Sequence, residues 1–504
     1  MKRMKKILAM LLALTMLLGM SLTSMAEGTA PSAIDADDVT IKNVEKGAKL
    51  DAYQLIDAKY TTEGFVRYEW AITYPEGNIK VGDPVQFEKV DDKDVVVGLT
   101  DALIEYAAKN KGEAVVTVNV TDEKETTITE MRLTVGTWMI LVTPPSTDPA
   151  KVYNPMVASV YYDVTESGDT AEANGEEVDA KSTWTLVTTG AYAKSTDISI
   201  EKTVIDYEYA VGEKVNYTLT STIPSYSDEY TEVTFKITDK LIKGLVYDEG
   251  KPSVTVGGTA VKEGVDYDLT YDTSSDNFSI EFKQNYILGL ANKSETQRAV
   301  VVTYSAKITE AAIEQTGENE ATIEYTHKPG KSTTTKKDSV VVYTFEFDGV
   351  LQKVKEDKET PLDGAEFTLY KGSVAKENAL TTWETKDGGR IYFAGLDSDN
   401  VYYIKETNAP DGYSLNEKIY KVEIEPTYGN DGKLTSYVVI VDGVVSGEIT
   451  YGGTPAKIVD KVVNTRLNAL PSTGGIGTTI FTVAGCGIMI AAAFFFFASR
   501  KKEN

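Results

Sequence analysis

The sequence predicts an all-β protein: a string of immunoglobulin-like β-sandwich domains with few short helices, ending in one apolar helix of membrane length. Three observations carry that expectation. Val, Ile, Thr and Tyr alternate with polar residues at period two along most of the chain, with Gly, Asp and Asn at the breaks, the pattern of half-buried strands and their turns. The composition is globular, 42% hydrophobic and 10% aromatic with 30 Tyr, so there is apolar surface enough for packed cores. The 504 residues, less both ends, divide into about three domains of the usual 100–200 residues.

At the N-terminus, Lys2, Arg3, Lys5 and Lys6 precede an apolar stretch from Ile7 to Leu22, and Ser24-Met25-Ala26 supplies small residues. Residues 1–26 therefore read as a secretory signal peptide, cut before Glu27. Residues 27–194 read as a first domain. Its best helix runs from Thr100 to Lys111, with Gly112 as a stop. Gly136-Thr-Trp-Met-Ile-Leu-Val142 reads as a strand. Pro144, Pro145, Asp148 and Pro149 then make a loop leading to Lys151-Val-Tyr-Asn-Pro-Met156, which leaves Lys151 exposed to solvent ahead of a strand pattern from Val157 to Val164. Polar linkers near Lys194 and Thr344 bound a second domain, 195–344, and a third, 345–467. A second short helix is expected from Thr309 to Gln315.

The chemistry lies in polar residues on the wrong face of strands. In Ile198-Ser-Ile200-Glu-Lys202-Thr-Val204, Lys202 falls on the face of Ile198, Ile200 and Val204. In Val233 to Leu241, Asp239 shares a face with Phe235 and Ile237, and Asn319 leads the apolar face of Asn319-Glu-Ala321-Thr-Ile323-Glu-Tyr325. The third domain repeats the set. Lys353 follows Phe345, Phe347 and Leu351 in phase, Glu406 follows Tyr402 and Ile404, and Asn464 follows Ile458 and Val462. Lys and acids are almost never buried unless paired, and an isolated buried charge is costly. A Lys, an acid and an Asn facing one core are therefore expected to meet, twice. An ordinary core salt bridge would place the same residues there. The first domain offers no such set.

The C-terminus holds Leu470-Pro471-Ser472-Thr473-Gly474, then an apolar run from Ile476 to Ala498, then Arg500, Lys501 and Lys502. The Pro keeps a short polar segment extended, as a peptide must be to enter an enzyme cleft. The run of about 22 residues spans a bilayer at about 1.5 Å per residue, and the basic tail holds its end in the cytoplasm. A plain membrane anchor would need only the last two parts.

These residues carry a resemblance. The C-terminal order, 470–504, resembles the LPXTG sorting signal of Gram-positive surface proteins, which implies that a sortase cleaves Thr473–Gly474 and passes the Thr473 carbonyl to an amine. Lys353-Val354 with Pro361-Leu-Asp-Gly-Ala-Glu-Phe-Thr-Leu369 resembles the first strands of a Cna B-type (SpaA-like) domain, Tyr402-Tyr-Ile-Lys-Glu406-Thr-Asn-Ala-Pro-Asp-Gly-Tyr413 its E-box, and Val463-Asn464-Thr465 its last strand. Residues 195–344 resemble the isopeptide-forming domain of fimbrial shaft proteins, with Asp239 in Thr-Asp-Lys-Leu…Gly-Leu. Together the chain resembles a sortase-assembled pilin, anchored to the cell wall by way of a membrane-bound precursor. The resemblance implies intramolecular Lys–Asn isopeptide bonds, Lys202–Asn319 with Asp239 as the acid and Lys353–Asn464 with Glu406. It also makes Lys151 a candidate acceptor for polymerisation, although family segments place the lysine after Tyr-Pro. The implied partners are a pilin or housekeeping sortase, further copies of the chain, the peptidoglycan cross-bridge, minor pilins and a host or extracellular ligand; no cofactor or metal is implied. An unpolymerised wall-anchored adhesin, or a minor basal or tip pilin, would carry the same anchor and clusters.

Other function classes lose ground on counting. Net charge is −25, and removing both ends, with seven basic residues and one acidic, takes it to −31, which disfavours nucleic acid as a partner. Cys486, the sole cysteine, lies in the anchor, so the processed chain has no disulfide and no thiol chemistry. His327 is the sole histidine, which leaves no Ser-His or Cys-His pairing to expect. Asp272-Thr-Ser-Ser-Asp276 misses the Asp-x-Ser-x-Ser pattern of a metal-dependent adhesion site at its last position. A carboxylate-pair glycosidase has acids enough but no organised site. The chain is thus expected not to be an enzyme. Protein released from the wall should begin at Glu27 and end at Thr473; intact masses that retain Ile476–Ala498 on most wall-bound molecules would contradict sorting.

Overall fold

Period-two alternation sets the architecture. The computed structural model describes residues 23–24, 31, 34–62, 64–90, 93–121, 129–165, 183–248, 250–272, 277–313, 318–330, 332–450, 458–467 and 476–500. Most of the segment read as a signal peptide, and all of Leu470–Gly474, lie outside the described residues. Contacts divide the chain into two units: the first runs to Val342, apart from Glu208–Val211 and Ala312–Glu314, which group with the second, Tyr343–Asn504.

In the first unit, strands Lys49–Thr61, Gly136–Thr143 and Met156–Thr165 form the middle of a seven-stranded sheet. Gly136–Thr143 is buried on both faces, which is why its sequence is apolar without alternation. Helix Asp101–Lys109 buries Leu103, Ala107 and Ala108; Thr100 caps it, its hydroxyl accepting from the Leu103 amide at 3.2 Å. The same unit contains a sandwich of two sheets. One carries Ile200–Val204, Lys214–Thr222 and Ala299–Ile308; the other carries Phe235–Lys240, Asn319–Lys328 and Ser332–Val340. Of the helix expected from Thr309 to Gln315, the described residues show a 3-10 turn at Glu310–Ala312, and 314–315 lie outside the described residues. Short helices Gln284–Gly289 and Glu295–Arg298 occur instead, the latter opened by a Ser294/Gln297 capping box that overrides the surrounding strand pattern.

The second unit packs a three-stranded sheet, Arg390–Leu396, Phe345–Val354 and Asp460–Val463, with a seven-stranded sheet that includes Glu366–Lys371, Tyr402–Asn408, Ile419–Tyr428 and Leu434–Val441. The closing strand Asp460–Val463 runs parallel to the opening strand Phe345–Val354, with Lys353 opposite Val462. Gly389 has φ +73°, and a Cβ there would collide with the Lys353 carbonyl, so glycine allows the backbone to close on the lysine. The chain ends in helix Ile476–Arg500, in which Ile480–Ser499 is long and apolar enough to cross a membrane, with mean hydropathy 2.3.

Candidate functional site: two buried lysine–acid–asparagine clusters

Alternation carries Lys202 inward from strand Ile200–Val204, whose burial alternates from Ile200 onward. Asp239 points in from Phe235–Lys240 on the opposite sheet, and Asn319 opens the neighbouring strand. All three are buried, at 4%, 0% and 1% exposure. The Lys202 ammonium is in direct contact with the Asp239 carboxylate. Burial pushes the Lys202 amine below its ordinary pKa, against the pull of Asp239, and pushes the Asp239 carboxyl above its own. The cluster thus spans both sheets.

Tyr304 is a fourth member that the sequence did not single out. Its hydroxyl accepts from Lys202 Nζ at 2.9 Å and from Asn319 Nδ2 at 3.2 Å, and donates to Asp239 Oδ1 at 2.9 Å. Its ring stacks on Tyr217 at 5.0 Å and 16°, and Lys202 Nζ lies 5.0 and 5.5 Å from the two ring centres. Asn319 Oδ1 is buried with no hydrogen-bond partner among the described residues. Within Val300, Val302, Tyr304, Ala306 and Ile308, the sequence offered only an inward aromatic in a regular alternation; nothing there marks a hydroxyl with work to do.

The second cluster is built differently. Lys353 points in from Phe345–Val354, and Asn464 follows the adjacent parallel strand, its amide donating to the Val354 carbonyl at 3.1 Å. Glu406 reaches in from Tyr402–Asn408 on the opposite sheet. Exposures are 0%, 1% and 1% for Lys353, Glu406 and Asn464. Lys353 Nζ contacts Asn464 Oδ1 and lies 3.4 Å from Glu406 Oε2; Asn464 Nδ2 donates to Glu406 Oε1 at 2.6 Å. Burial pushes the Lys353 amine down to about 8. The Asn416 amide, donating to Glu406 Oε2 at 2.9 Å, steadies the carboxylate from a loop the sequence gave no reason to notice. Ile458, expected in phase with Asn464, is 42% exposed, because the strand starts only at Asp460.

The approach through Pro144 to Pro149 is a loop, as expected, and Lys151 then begins a short strand, Lys151–Tyr153. That strand pairs with Ser195–Asp197, just ahead of Ile200–Val204. Its Nζ donates to Asn43 Oδ1 at 2.8 Å and meets Asp197 Oδ1 at 3.0 Å, leaving the side chain 21% exposed.

Comparison with known proteins shows likenesses at the level of domain, anchor and fold. A prealbumin-like fold domain, SpaA, matches residues 348–437, and an LPXTG cell wall anchor motif matches 462–504. The trypsin-resistant surface T6 protein of Streptococcus pyogenes serotype M6 is 26% identical over 424 residues, covering 70% of this chain and 76% of that protein. The fimbrial subunit type 2 of Actinomyces naeslundii is 27% identical over 373 residues, 64% of each chain. Among solved structures, the T6 backbone pilin of S. pyogenes, described as a modular three-domain structure, aligns with TM-score 0.56 at 20% identity, covering 87% of this chain and all of that one, a likeness of fold. With a SpaA-type domain, an LPXTG anchor motif and a body of tandem β-domains, the chain is similar to Gram-positive pilins and is a structural pilus subunit attached to the cell wall.

Proposed function

We propose that this chain is a shaft subunit of a covalently polymerised pilus, with its second and third domains (195–344 and 345–467) each locked by an isopeptide bond, and that it is not an enzyme toward other molecules. The observation that carries this is the enclosure of a Lys, an acid and an Asn in each of two cores, hydrogen-bonded to one another directly around Lys353 and, for Asn319, through the Tyr304 hydroxyl around Lys202. One proton passing from the ammonium to the carboxylate leaves a neutral amine, which is a nucleophile, and a neutral carboxyl, which can donate to the amide oxygen. The amine then bonds to the Asn Cγ, the Cγ–Nδ2 bond breaks, and ammonia leaves. The bonds are Lys202–Asn319 and Lys353–Asn464.

Polymerisation follows the same chemistry between chains. A sortase cuts Thr473–Gly474, and the Thr473 carbonyl passes to Lys151 of another copy or to the wall cross-bridge. Such a head-to-tail contact is heterologous and grows as a filament. The pairing of Lys151–Tyr153 with Ser195–Asp197 supports Lys151 as the acceptor, since a pull on Lys151 is handed directly to the strand entering the first cross-linked sandwich. The ion pair with Asp197 orients the amine, and it must open before the amine attacks.

Three outcomes are expected. The intact mass of the chain from Glu27 to Thr473 should fall by about 17 Da per bond, so by about 34 Da, and Asp239→Ala or Glu406→Ala should each abolish one loss. Full loss in both variants would make the assigned acids wrong.

The pH dependence of stability follows from Lys353. Burial lowers the free Lys353 amine to about 8 from 10.5; if Asn464→Ala, which leaves that amine free, keeps it buried, the unfolded chain binds the extra proton between those values and stability rises with pH there. Urea titrations should show the variant's deficit against wild type shrinking by about 3 kcal/mol from pH 8 to pH 10.5. A deficit constant over that range would show that Lys353 is not held neutral.

Lys151→Arg keeps the charge and removes the attackable amine. With a pilin sortase present it should collapse the high-mass ladder on detergent gels to monomer while melting behaviour stays unchanged. A persisting ladder, with Thr473 found on another lysine, would move the acceptor. No ladder in wild type would leave an unpolymerised anchored adhesin.

A further inference from the structure

We propose that Tyr304 is a catalytic residue of the middle cluster: its hydroxyl carries the proton from the attacking Lys202 nitrogen to the departing Asn319 nitrogen. This rests on the cross-linking proposed above and adds a role that only one of the two clusters needs.

The two clusters differ in what links their nitrogens. Amide exchange must move one proton from the attacking amine to the leaving amine, since a neutral amine enters and ammonia departs. In the third domain one carboxylate touches both nitrogens, with Glu406 Oε2 3.4 Å from Lys353 Nζ and Oε1 2.6 Å from Asn464 Nδ2. In the middle domain the acid is Asp239, one methylene shorter. It contacts Lys202 Nζ and makes no hydrogen bond to Asn319 among the described residues. The atom that touches both nitrogens there is Tyr304 Oη, at 2.9 Å from Lys202 Nζ and 3.2 Å from Asn319 Nδ2.

The proton count closes. After Lys202 has given one proton to Asp239, its neutral nitrogen bonds to Asn319 Cγ and becomes positively charged in the tetrahedral intermediate. Tyr304 Oη takes a proton from that nitrogen as it delivers its own to Nδ2, whose lone pair is freed when the amide conjugation is lost. The Cγ–Nδ2 bond then breaks, ammonia leaves, and Tyr304 is unchanged. Asn319 Oδ1 has no partner in the resting structure, and the now neutral Asp239 would donate to it as negative charge gathers there; when the carbonyl re-forms the proton stays on Asp239, which ends as the neutral acid. Burial raises the Tyr304 hydroxyl well above its ordinary pKa, so it is protonated and able to relay. The stack on Tyr217 fixes the ring, and the strand pairing that sets Tyr304 opposite Tyr217 fixes its depth. Tyr247 is the natural control, as its hydroxyl reaches the Asp239 carbonyl at 3.4 Å and Oδ1 at 3.5 Å and accepts from neither nitrogen.

The test is a time course of intact mass on the chain from Glu27 to Thr473, sampled from cell-free synthesis, with the third domain as an internal control. Tyr304→Phe keeps the stacked ring and should slow the middle-domain loss of about 17 Da by a factor of about 10² or more, while the third-domain loss proceeds at the wild-type rate. Tyr247→Phe should lose both at wild-type rates. Both losses at wild-type rates in Tyr304→Phe would overturn the relay and leave the cross-links standing. No loss in wild type would refute the cross-linking itself. Should Tyr304→Phe expose the middle domain to trypsin, a chain with 3,5-difluorotyrosine at position 304 decides. Its more acidic hydroxyl shifts the middle-domain rate several-fold if the proton passes through it, and an unchanged rate overturns the proposal.

Discussion

Everything in this structure turns on an ammonium and a carboxylate held together in a dry core. A buried ion pair gains little net stability, because desolvation consumes most of the Coulombic attraction, and losing one partner alone costs roughly 3–5 kcal/mol. Lys202 with Asp239 and Lys353 with Glu406 sit in that position, fully enclosed. Burial lowers both amines, and an amide carbonyl carbon is the electrophile close by. Forming the proposed amide removes the charge on the lysine permanently and turns an awkward core into a satisfied one. The strain of burying charge becomes the driving condition for a bond. Closing loops of about 110–120 residues would add roughly 4–5 kcal/mol on the chain-entropy account used for disulfides, in a processed chain with no cysteine.

The two sandwiches arrive at that arrangement by different topology. In the middle domain the lysine stands on one sheet and the acid and asparagine on the other, so the bond would staple sheet to sheet. The Lys202 amide also donates to Asp338 Oδ2 at 2.7 Å, tying the first strand to Ser332–Val340 beyond Asn319. In the third domain the lysine and asparagine belong to adjacent parallel strands, the first and last of the fold, and the acid faces them from the other sheet. There the bond would prevent the terminal strands from being peeled apart by a pull along the chain. The carboxylate length matches the topology: Glu406 spans both nitrogens across one sheet, and Asp239 works beside a tyrosine.

The sequence made the β class and the six cluster residues legible through one property, the strict alternation of strands. A Lys, an Asp or a Glu in phase with Ile, Phe and Tyr cannot be on the solvent side, and for Lys202, Asp239, Lys353 and Glu406 the phase held. Phase says nothing about strand pairing, however. Asn319 leads a legible apolar face, yet nothing in the pattern announces Ser332–Val340, the hairpin partner that follows it, because its outward Thr, Lys and Ser residues hide it. The prolines before Lys151 mark its approach as a loop and say nothing of a strand at Lys151 itself. The pairing that makes it a strand comes from Ser195–Asp197, more than forty residues away. Tyr304 was invisible because a buried tyrosine and a buried phenylalanine leave the same trace in a pattern; only the convergence of three strands reveals what its hydroxyl touches.

The central claim is that each of the two cores is closed by a covalent bond, and peptide mapping of the native processed chain addresses it directly. Trypsin does not cut after a lysine whose amine is acylated. Tandem mass spectrometry of the digest should therefore find branched peptides joining Lys202 to Asn319 and Lys353 to Asn464, with fragment ions from both arms and no cleavage after either lysine. Linear peptides ending at Lys202 and Lys353, alongside intact Asn319 and Asn464, would contradict it and leave two buried ion pairs in place of two bonds.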